Sequence, residues 1–224
     1  ALSDGGIARA GASLACFRAR RVRGQPEPTR PQDLHVRDEF GLQRLAIGRE
    51  EQLCLPATLD DGRCNGDPAL CARRYDQVAY PTTHNAMSNA DEGWAGPNQQ
   101  HGIARQLDDG IRGLMLDTHY DGGAPYLCHQ YCVIGKEPLA HGLAKLRRFL
   151  DLHPQDVVSI IFESYIDEAD VAAAFAEAGL LEYVHTQSVD APWPTLRSLV
   201  DARTRLVVFT DERGALPWHH YVWD

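Results

Sequence analysis

The sequence contains no run of about 18 apolar residues, the length that a helix needs to cross a bilayer. It also has no surplus of positive charge, since 22 Lys and Arg stand against 31 Asp and Glu and the formal net charge is -9 at pH 7. A nucleic-acid partner is therefore not expected, because that function requires a broad basic surface. The one basic run, residues 18–23, indicates a solvated linker, with a patch for lipid headgroups as the alternative. No internal repeat or low-complexity tract is present.

The six cysteines include no Cys-x-x-Cys motif. Their even number favours disulfides and an oxidising compartment. Two pairs are close in the chain and a third remains by elimination: Cys64/Cys71, Cys128/Cys132 and Cys16/Cys54. A structural zinc site and free thiols are the alternatives, and His129 lies between two of the cysteines. We therefore predict a secreted or otherwise extracytoplasmic protein, and we expect it to act as a monomer.

The chain separates into an irregular beginning and an alternating remainder. Residues 1–53 show no clean periodicity and are predicted to be an N-terminal extension, with a short helix or strand pair in residues 38–51. Residues 54–224 are predicted to be one domain, in which strands and helices alternate from Gln77 onward. Such alternation is typical of parallel β/α units. The predicted strands cover residues 78–82, 111–117, 126–128, 157–162 and 205–210, and the predicted helices cover 99–109, 138–152, 167–178 and 195–202.

The predicted fold class is α/β, a TIM-barrel-like (β/α) fold. A complete barrel of this kind takes about 250 residues. The chain stops in aromatic sequence after about five predicted strands, so we expect a C-terminally incomplete barrel.

Polar, titratable side chains stand at the ends of the predicted strands. His84 and Asn85 follow the first, Asp117 closes the second, His129 follows the third and Glu163 follows the fourth. Because the carboxyl ends of barrel strands meet at one rim, we expect these side chains to share a site. A phosphodiester requires one group to take a proton and one to give it, and histidine has the pKa best suited to both near neutral pH.

Four segments carry a family resemblance: residues 83–88, 110–117, 127–129 and 157–163. In this order they resemble the X-type catalytic region of the phosphatidylinositol-specific phospholipase C superfamily, above all its secreted, single-domain microbial members. The similarity covers roughly residues 64–224. The Thr-His-Asn element at residues 83–85 would be a weak signal alone, whereas all four elements in order are a strong one.

The resemblance implies a phosphodiesterase that acts on a phosphoinositide-like lipid or inositol phosphodiester at a transiently contacted membrane surface. In that family a first histidine takes the proton of the inositol 2-hydroxyl, and a second protonates the leaving diacylglycerol oxygen. The product is a cyclic phosphate, which water can then open. His84 matches the first histidine and His129 the second, and Asp117 is predicted to join them as a catalytic residue.

The resemblance also bears on a cation site. Calcium-dependent relatives have Glu and Asp at the positions of Met115 and Asp117, and this chain keeps only the Asp. The predicted ligands of a weakly bound Ca²⁺ or Mg²⁺ are Asn85, Asp117 and Glu163. An enzyme that binds no cation is the alternative, and these three residues are equally compatible with it. A thioether is a poor ligand for calcium, which takes six to eight oxygens.

Arg112 and His119 are the candidates for binding the substrate. His119 shares a strand face with Asp117. Arg112 lies on the other face, with Leu114 and Leu116. The alternative for Arg112 is an ion pair between the barrel and its helices. For the other histidines we expect ordinary surface or capping roles. Trp94, Trp193, Trp218 and Trp223 lie in loop-like sequence, and they either pack normally or reach a lipid interface.

Two other functions remain open. A glycerophosphodiester phosphodiesterase or a sphingomyelinase-D-like enzyme would share the barrel, but those enzymes use a Glu-x-Asp metal pair where Met115 stands. A catalytically silent barrel that binds lipid or carbohydrate is the alternative from another class.

Overall fold

The computed structural model describes residues 61–224, together with the backbone of three earlier strands: Leu14–Arg18 (β1), Gln43–Ile47 (β2) and Glu50–Pro56 (β3). The chain forms two compact units, Ala1–Leu59 and Asp60–Asp224. In the first unit β3 pairs antiparallel with both β1 and β2. Residues 43–47 and 50–51 of these two strands lie in the segment where a helix or strand pair was expected. The predicted boundary after residue 53 falls inside β3.

The second unit is built on one mixed sheet. Its strands are Thr82–Thr83 (β4), Gly113–Asp121 (β5), Ala124–Leu127 (β6), Glu137–Pro138 (β7), Val158–Ser164 (β8), Leu206–Thr210 (β9) and His219–Tyr221 (β10). Its helices are Ile103–Asp108 (α1), Leu139–Leu152 (α2), Glu168–Glu177 (α3) and Leu196–Ala202 (α4). The strand order is β10-β9-β8-β5-β6-β7, and β4 also pairs with β5. The pairs β4/β5, β5/β8, β8/β9 and β9/β10 are parallel, so the predicted α/β class is confirmed.

The sheet does not close into a barrel. Within residues 61–224, β4 pairs only with β5 and β10 pairs only with β9. Five parallel strands are too few for closure, since a TIM barrel closes with eight. The expected barrel is therefore present only as an open sheet with helices against it.

Of the strand predicted at residues 78–82, only Thr82 is in a strand, β4. Two more predicted elements differ because of local turns. The strand predicted at residues 126–128 exists as β6, but it runs antiparallel to β5. Gly122 and Gly123 have φ angles of 59° and 84°, which turn the chain into a hairpin. The helix predicted from residue 99 begins only at Ile103, because the Gln99 backbone N–H donates to the Ser88 carbonyl in a loop. The edge strand β10 was not predicted.

The two faces of the sheet have different roles. Leu114, Leu116, Ile160, Phe162 and Val208 are buried in the main core, together with apolar residues of α1, α2 and α3. Side chains alternate along a strand, so the odd-numbered residues of β5 and β8 lie on the opposite face. That face is the one that carries the candidate site.

Two disulfides confirm the predicted close pairs, Cys64–Cys71 and Cys128–Cys132. The side chains of Cys16 and Cys54 lie outside the described residues, although the backbone register sets these two positions opposite each other. Among the helices of the described chain, none is long and apolar enough to cross a membrane.

Candidate active site

The turn after β4 places His84 and Asn85 at the carboxyl end of the sheet. Asn85 has a φ of 50°, a left-handed conformation that asparagine tolerates better than most residues. The Ala86 N–H donates to the Met115 carbonyl at 2.9 Å, and the buried Gln106 amide donates to the Ala86 carbonyl at 2.8 Å. The turn is thereby fixed to both β5 and α1. It leaves His84 exposed and Asn85 buried.

Asn85 connects two of the predicted catalytic residues. With its amide nitrogen toward Asp117, it donates to the two carboxylate oxygens at 3.0 and 3.2 Å. The Asn85 oxygen then accepts from His129 Nε2 at 3.2 Å. This amide orientation is the one that pairs donors with acceptors on both sides. Since Nε2 carries the donated proton, Nδ1 is the His129 nitrogen left for a substrate.

Three carboxylates lie near the place where the parallel pairing of neighbouring strands ends. Asp117 and Glu163 are register partners on β5 and β8, and Asp211 directly follows β9. Burial raises the pKa of Asp117 to about 7, and the negative charges of Glu163 and Asp211 add to the rise. The Asn85 N–H group opposes this rise, because it hydrogen-bonds the charged form. Three acidic side chains therefore lie close enough for the charges of two of them to act on the third.

His119 and Tyr165 form the next part of the rim. Their rings stack at a centroid distance of 4.4 Å, and the Tyr165 hydroxyl donates to Glu163. Burial lowers the pKa of His119, and its Nε2 has no hydrogen-bond partner within residues 61–224. His119 thus lies beside the predicted site residues, with a ring nitrogen free of protein partners.

Arg112 lies at the other end of β5, before the strand begins. Its guanidinium pairs with Asp156 at 3.1 Å and donates to the carbonyls of Leu107 and Ile111. It also lies over the Phe149 ring at 4.9 Å. Five residues of extended strand separate Arg112 from Asp117, about 16 Å. The prediction that Arg112 binds substrate therefore lacks support, and the ion-pair alternative describes its contacts.

The predicted cation ligands are near one another but are otherwise engaged. In the amide orientation that satisfies these hydrogen bonds, the Asn85 oxygen faces His129 rather than the carboxylates. No three His, Cys, Asp or Glu side chains of residues 61–224 are arranged to hold one metal ion. In this geometry the residues do not form a ligand shell, so the cation remains a prediction.

Three contributors to the site were not predicted: Gln106, Tyr165 and Asp211. Asp211 follows a predicted strand, as Glu163 does, so this signal was available in the sequence. Gln106 and Tyr165 gave no such signal, because their roles depend on a helix contact and on ring stacking.

Comparisons with known proteins identify the family and agree with the fold. The PI-PLC X family model matches residues 70–224. A PI-PLC X domain-containing protein of Arthroderma benhamiae is 31% identical over 191 residues, which cover 80% of this chain and 60% of the relative. A protein of the same description from Arabidopsis thaliana is 32% identical over 203 residues, 79% of this chain and 46% of the relative. An uncharacterized secreted protein of Arthroderma benhamiae is 30% identical over 175 residues, 72% of this chain and 39% of the relative. The chain thus spans between 39% and 60% of the length of these relatives.

A structure of the Staphylococcus aureus phosphatidylinositol-specific phospholipase C shares the fold. The TM-score is 0.52 at 15% sequence identity, and the match covers 69% of this chain and 54% of that one. The protein is an α/β protein with a polar site at the carboxyl ends of its parallel strands. It belongs to the PI-PLC X family.

Proposed function

We propose that this protein is a phosphoric diester hydrolase of the phospholipase C type, acting on a phosphoinositide-like phospholipid. The observation that carries the proposal is the Asn85 amide. It is the residue next to His84, and it bonds Asp117 and His129 at once. The side chain of the residue that follows His84 thus bonds His129, which lies 45 positions after His84 in the sequence.

The proposed reaction uses the two imidazoles in turn. His84 takes the proton of the substrate hydroxyl next to the phosphate, and that oxygen attacks phosphorus. The bond to the leaving oxygen breaks, and His129 supplies the proton that the leaving alcohol needs. A cyclic phosphate and diacylglycerol result. Exposure of His84 to solvent supports its role as the base, because the base must meet an incoming hydroxyl.

Asp117 has an orienting role in this proposal. Its charged carboxylate holds the Asn85 nitrogen and so turns the Asn85 oxygen toward His129. Asn85 thereby holds the Nε2–H of His129, so the proton that the protonated His129 gives to the leaving oxygen is the one on Nδ1.

Exposed apolar side chains around the site support contact with a membrane surface. Tyr131, Val133 and Tyr165 are 68%, 92% and 57% exposed, and all three follow strands that end at this rim. Among the tryptophans, Trp223 is exposed, whereas Trp94 and Trp218 are buried and Trp193 packs on Tyr75. The two disulfides and the secreted relative support an extracytoplasmic location.

Phosphatidylinositol vesicles provide the test. We expect the wild type to release a cyclic inositol phosphate, detected by ³¹P NMR. His84→Ala and His129→Ala are each expected to lower kcat by about 10²- to 10⁴-fold. His141→Ala, an exposed residue of α2, is the matched control and should leave kcat unchanged. A wild type that binds vesicles without hydrolysis, with binding unaffected by His84→Ala, would instead identify a silent lipid-binding module.

A further inference from the structure

The loop that carries His129 is tied down on both sides of the histidine. Cys128 is fully buried, and its N–H donates to the Asp117 carbonyl at 3.2 Å. Cys132 lies four residues later and is bonded to Cys128. The disulfide therefore closes a small ring of backbone that contains His129, Gln130 and Tyr131.

The backbone inside this ring is in an uncommon conformation. Gln130 has a φ of 58°, which is unfavourable for a residue with a side chain. The Tyr131 N–H donates to the His129 carbonyl at 2.6 Å, so the turn reverses the chain directly after the histidine. Such a turn needs an external constraint to persist, because an unconstrained chain would relax it.

Beyond Cys132 the loop packs on the segment that follows β4. The Ala95 N–H donates to the Ile134 carbonyl at 2.8 Å. Gly135 lies directly against the Trp94 ring, where a side chain would not fit. The ring of the disulfide is thus anchored at one end to β5 and at the other to residues that follow the Asn85 turn.

Within residues 61–224, the His129 imidazole has one hydrogen bond, from Nε2 to the Asn85 oxygen at 3.2 Å. A single contact of this kind does not fix both the position and the plane of a ring. We propose that the Cys128–Cys132 disulfide positions the His129 imidazole against Asn85, which makes these two cysteines positioning residues for the proton transfer to the leaving group. The inference rests on the proposed function of His129.

The other disulfide supplies a matched control. Cys64–Cys71 has nearly the same Cα separation, 5.1 Å against 5.0 Å, and spans seven residues rather than four. It lies at the opposite end of the sheet, since the neighbouring Asn65 side chain bonds the backbone of Val157, just before β8. Cys128→Ala/Cys132→Ala and Cys64→Ala/Cys71→Ala should therefore lose similar amounts of thermal stability, while only the first disturbs the site.

The experiment compares both double variants with the wild type on phosphatidylinositol vesicles, at a temperature where all three are folded by circular dichroism. We expect Cys128→Ala/Cys132→Ala to lower kcat by about 10²-fold with little change in KM, as displacement of a reacting group by about 1 Å does. Cys64→Ala/Cys71→Ala should keep the wild-type kcat. Equal kcat losses in the two variants, or a normal kcat in the first, would overturn the proposal.

A second measurement does not depend on activity. In the wild type we expect the ¹⁵N spectrum of His129 to show a protonated Nε2 whose proton exchanges slowly with solvent. Loss of that slow exchange in Cys128→Ala/Cys132→Ala, and its retention in the control, would support positioning. An unchanged His129 signal would refute it. If the wild type proves inactive, the proposed function fails and this spectrum alone decides on positioning. Should the double variant not fold, Cys132→Ala replaces it, because it leaves the buried Cys128 side chain in the core.

Discussion

Asn85 offers the sharpest test of the site, because its backbone and its side chain can be perturbed separately. Asn85→Gly and Asn85→Ala both remove the amide that bonds Asp117 and His129. Only glycine accepts the φ of 50° without strain. The pair therefore separates the cost of the left-handed backbone from the effect of the hydrogen bonds.

The magnitudes follow from the contacts. Two buried polar contacts are lost in both variants, and each costs about 1–2 kcal/mol when a partner is left unsatisfied, so the free energy of unfolding should fall by about 2–4 kcal/mol. Alanine adds about 1 kcal/mol of backbone strain that glycine avoids. The kcat should fall by about 10²-fold in both variants, because His129 and Asp117 lose the group between them.

Asn65 provides the matched control at the far end of the sheet. It also has a left-handed φ, 48°, and its amide makes two hydrogen bonds, to the carbonyl and the N–H of Val157. Asn65→Gly and Asn65→Ala should reproduce the stability losses in urea unfolding at pH 7 but leave kcat at the wild-type value. Wild-type kcat in Asn85→Gly would refute the reasoning, since it would mean that the amide does not organise the site.

Three further predictions concern charge and packing. Asp117→Asn should raise the urea midpoint at pH 8 but not at pH 4. The pKa of Asp117 is raised to about 7 in the folded state, so the folded protein holds the Asp117 proton more tightly than the unfolded chain does. The wild type therefore loses stability as the pH rises from about 4 to 7, and the asparagine variant avoids this loss. An unchanged midpoint at pH 8 would contradict the repulsion assigned to this carboxylate. Arg205→Met should lower the free energy of unfolding by about 3 kcal/mol and leave kcat unchanged. The buried guanidinium donates to three backbone carbonyls at and after the end of α2, remote from the site. A loss below about 1 kcal/mol would show that those carbonyls find other partners. A weakly bound cation at Asp117 and Glu163 predicts that millimolar CaCl₂ raises the Tm of the wild type but not of Glu163→Gln, and identical wild-type Tm values in CaCl₂ and in EDTA would remove the cation from the site.

Much of the fold was readable from local patterns. The apolar stripe of α2 and the near-continuous apolar run of β8 predicted a helix and a strand within two residues of their observed bounds. The alternation along β5 correctly placed Leu114 and Leu116 on the face opposite Asp117. Patterns of this kind succeed because one element buries one face, whatever its neighbours are.

The failures have a common cause in turns and edges. β6 reverses direction because of two consecutive glycines with positive φ, and a short apolar run carries no sign of its direction. β10 has only three residues and pairs at the edge, so it gives too little periodic signal to be seen.

Sequence alone determined the α/β class, the two close cysteine pairs and the resemblance that led to the PI-PLC X family, because each depends on residue types at short, fixed spacings. Tertiary structure alone decided that Asn85 joins Asp117 to His129, that Asp211 adds its charge to the site and that Arg112 serves the opposite end of the sheet. Those relations depend on strand register and on one left-handed backbone angle, and neither quantity is encoded in the spacing of residues along a chain.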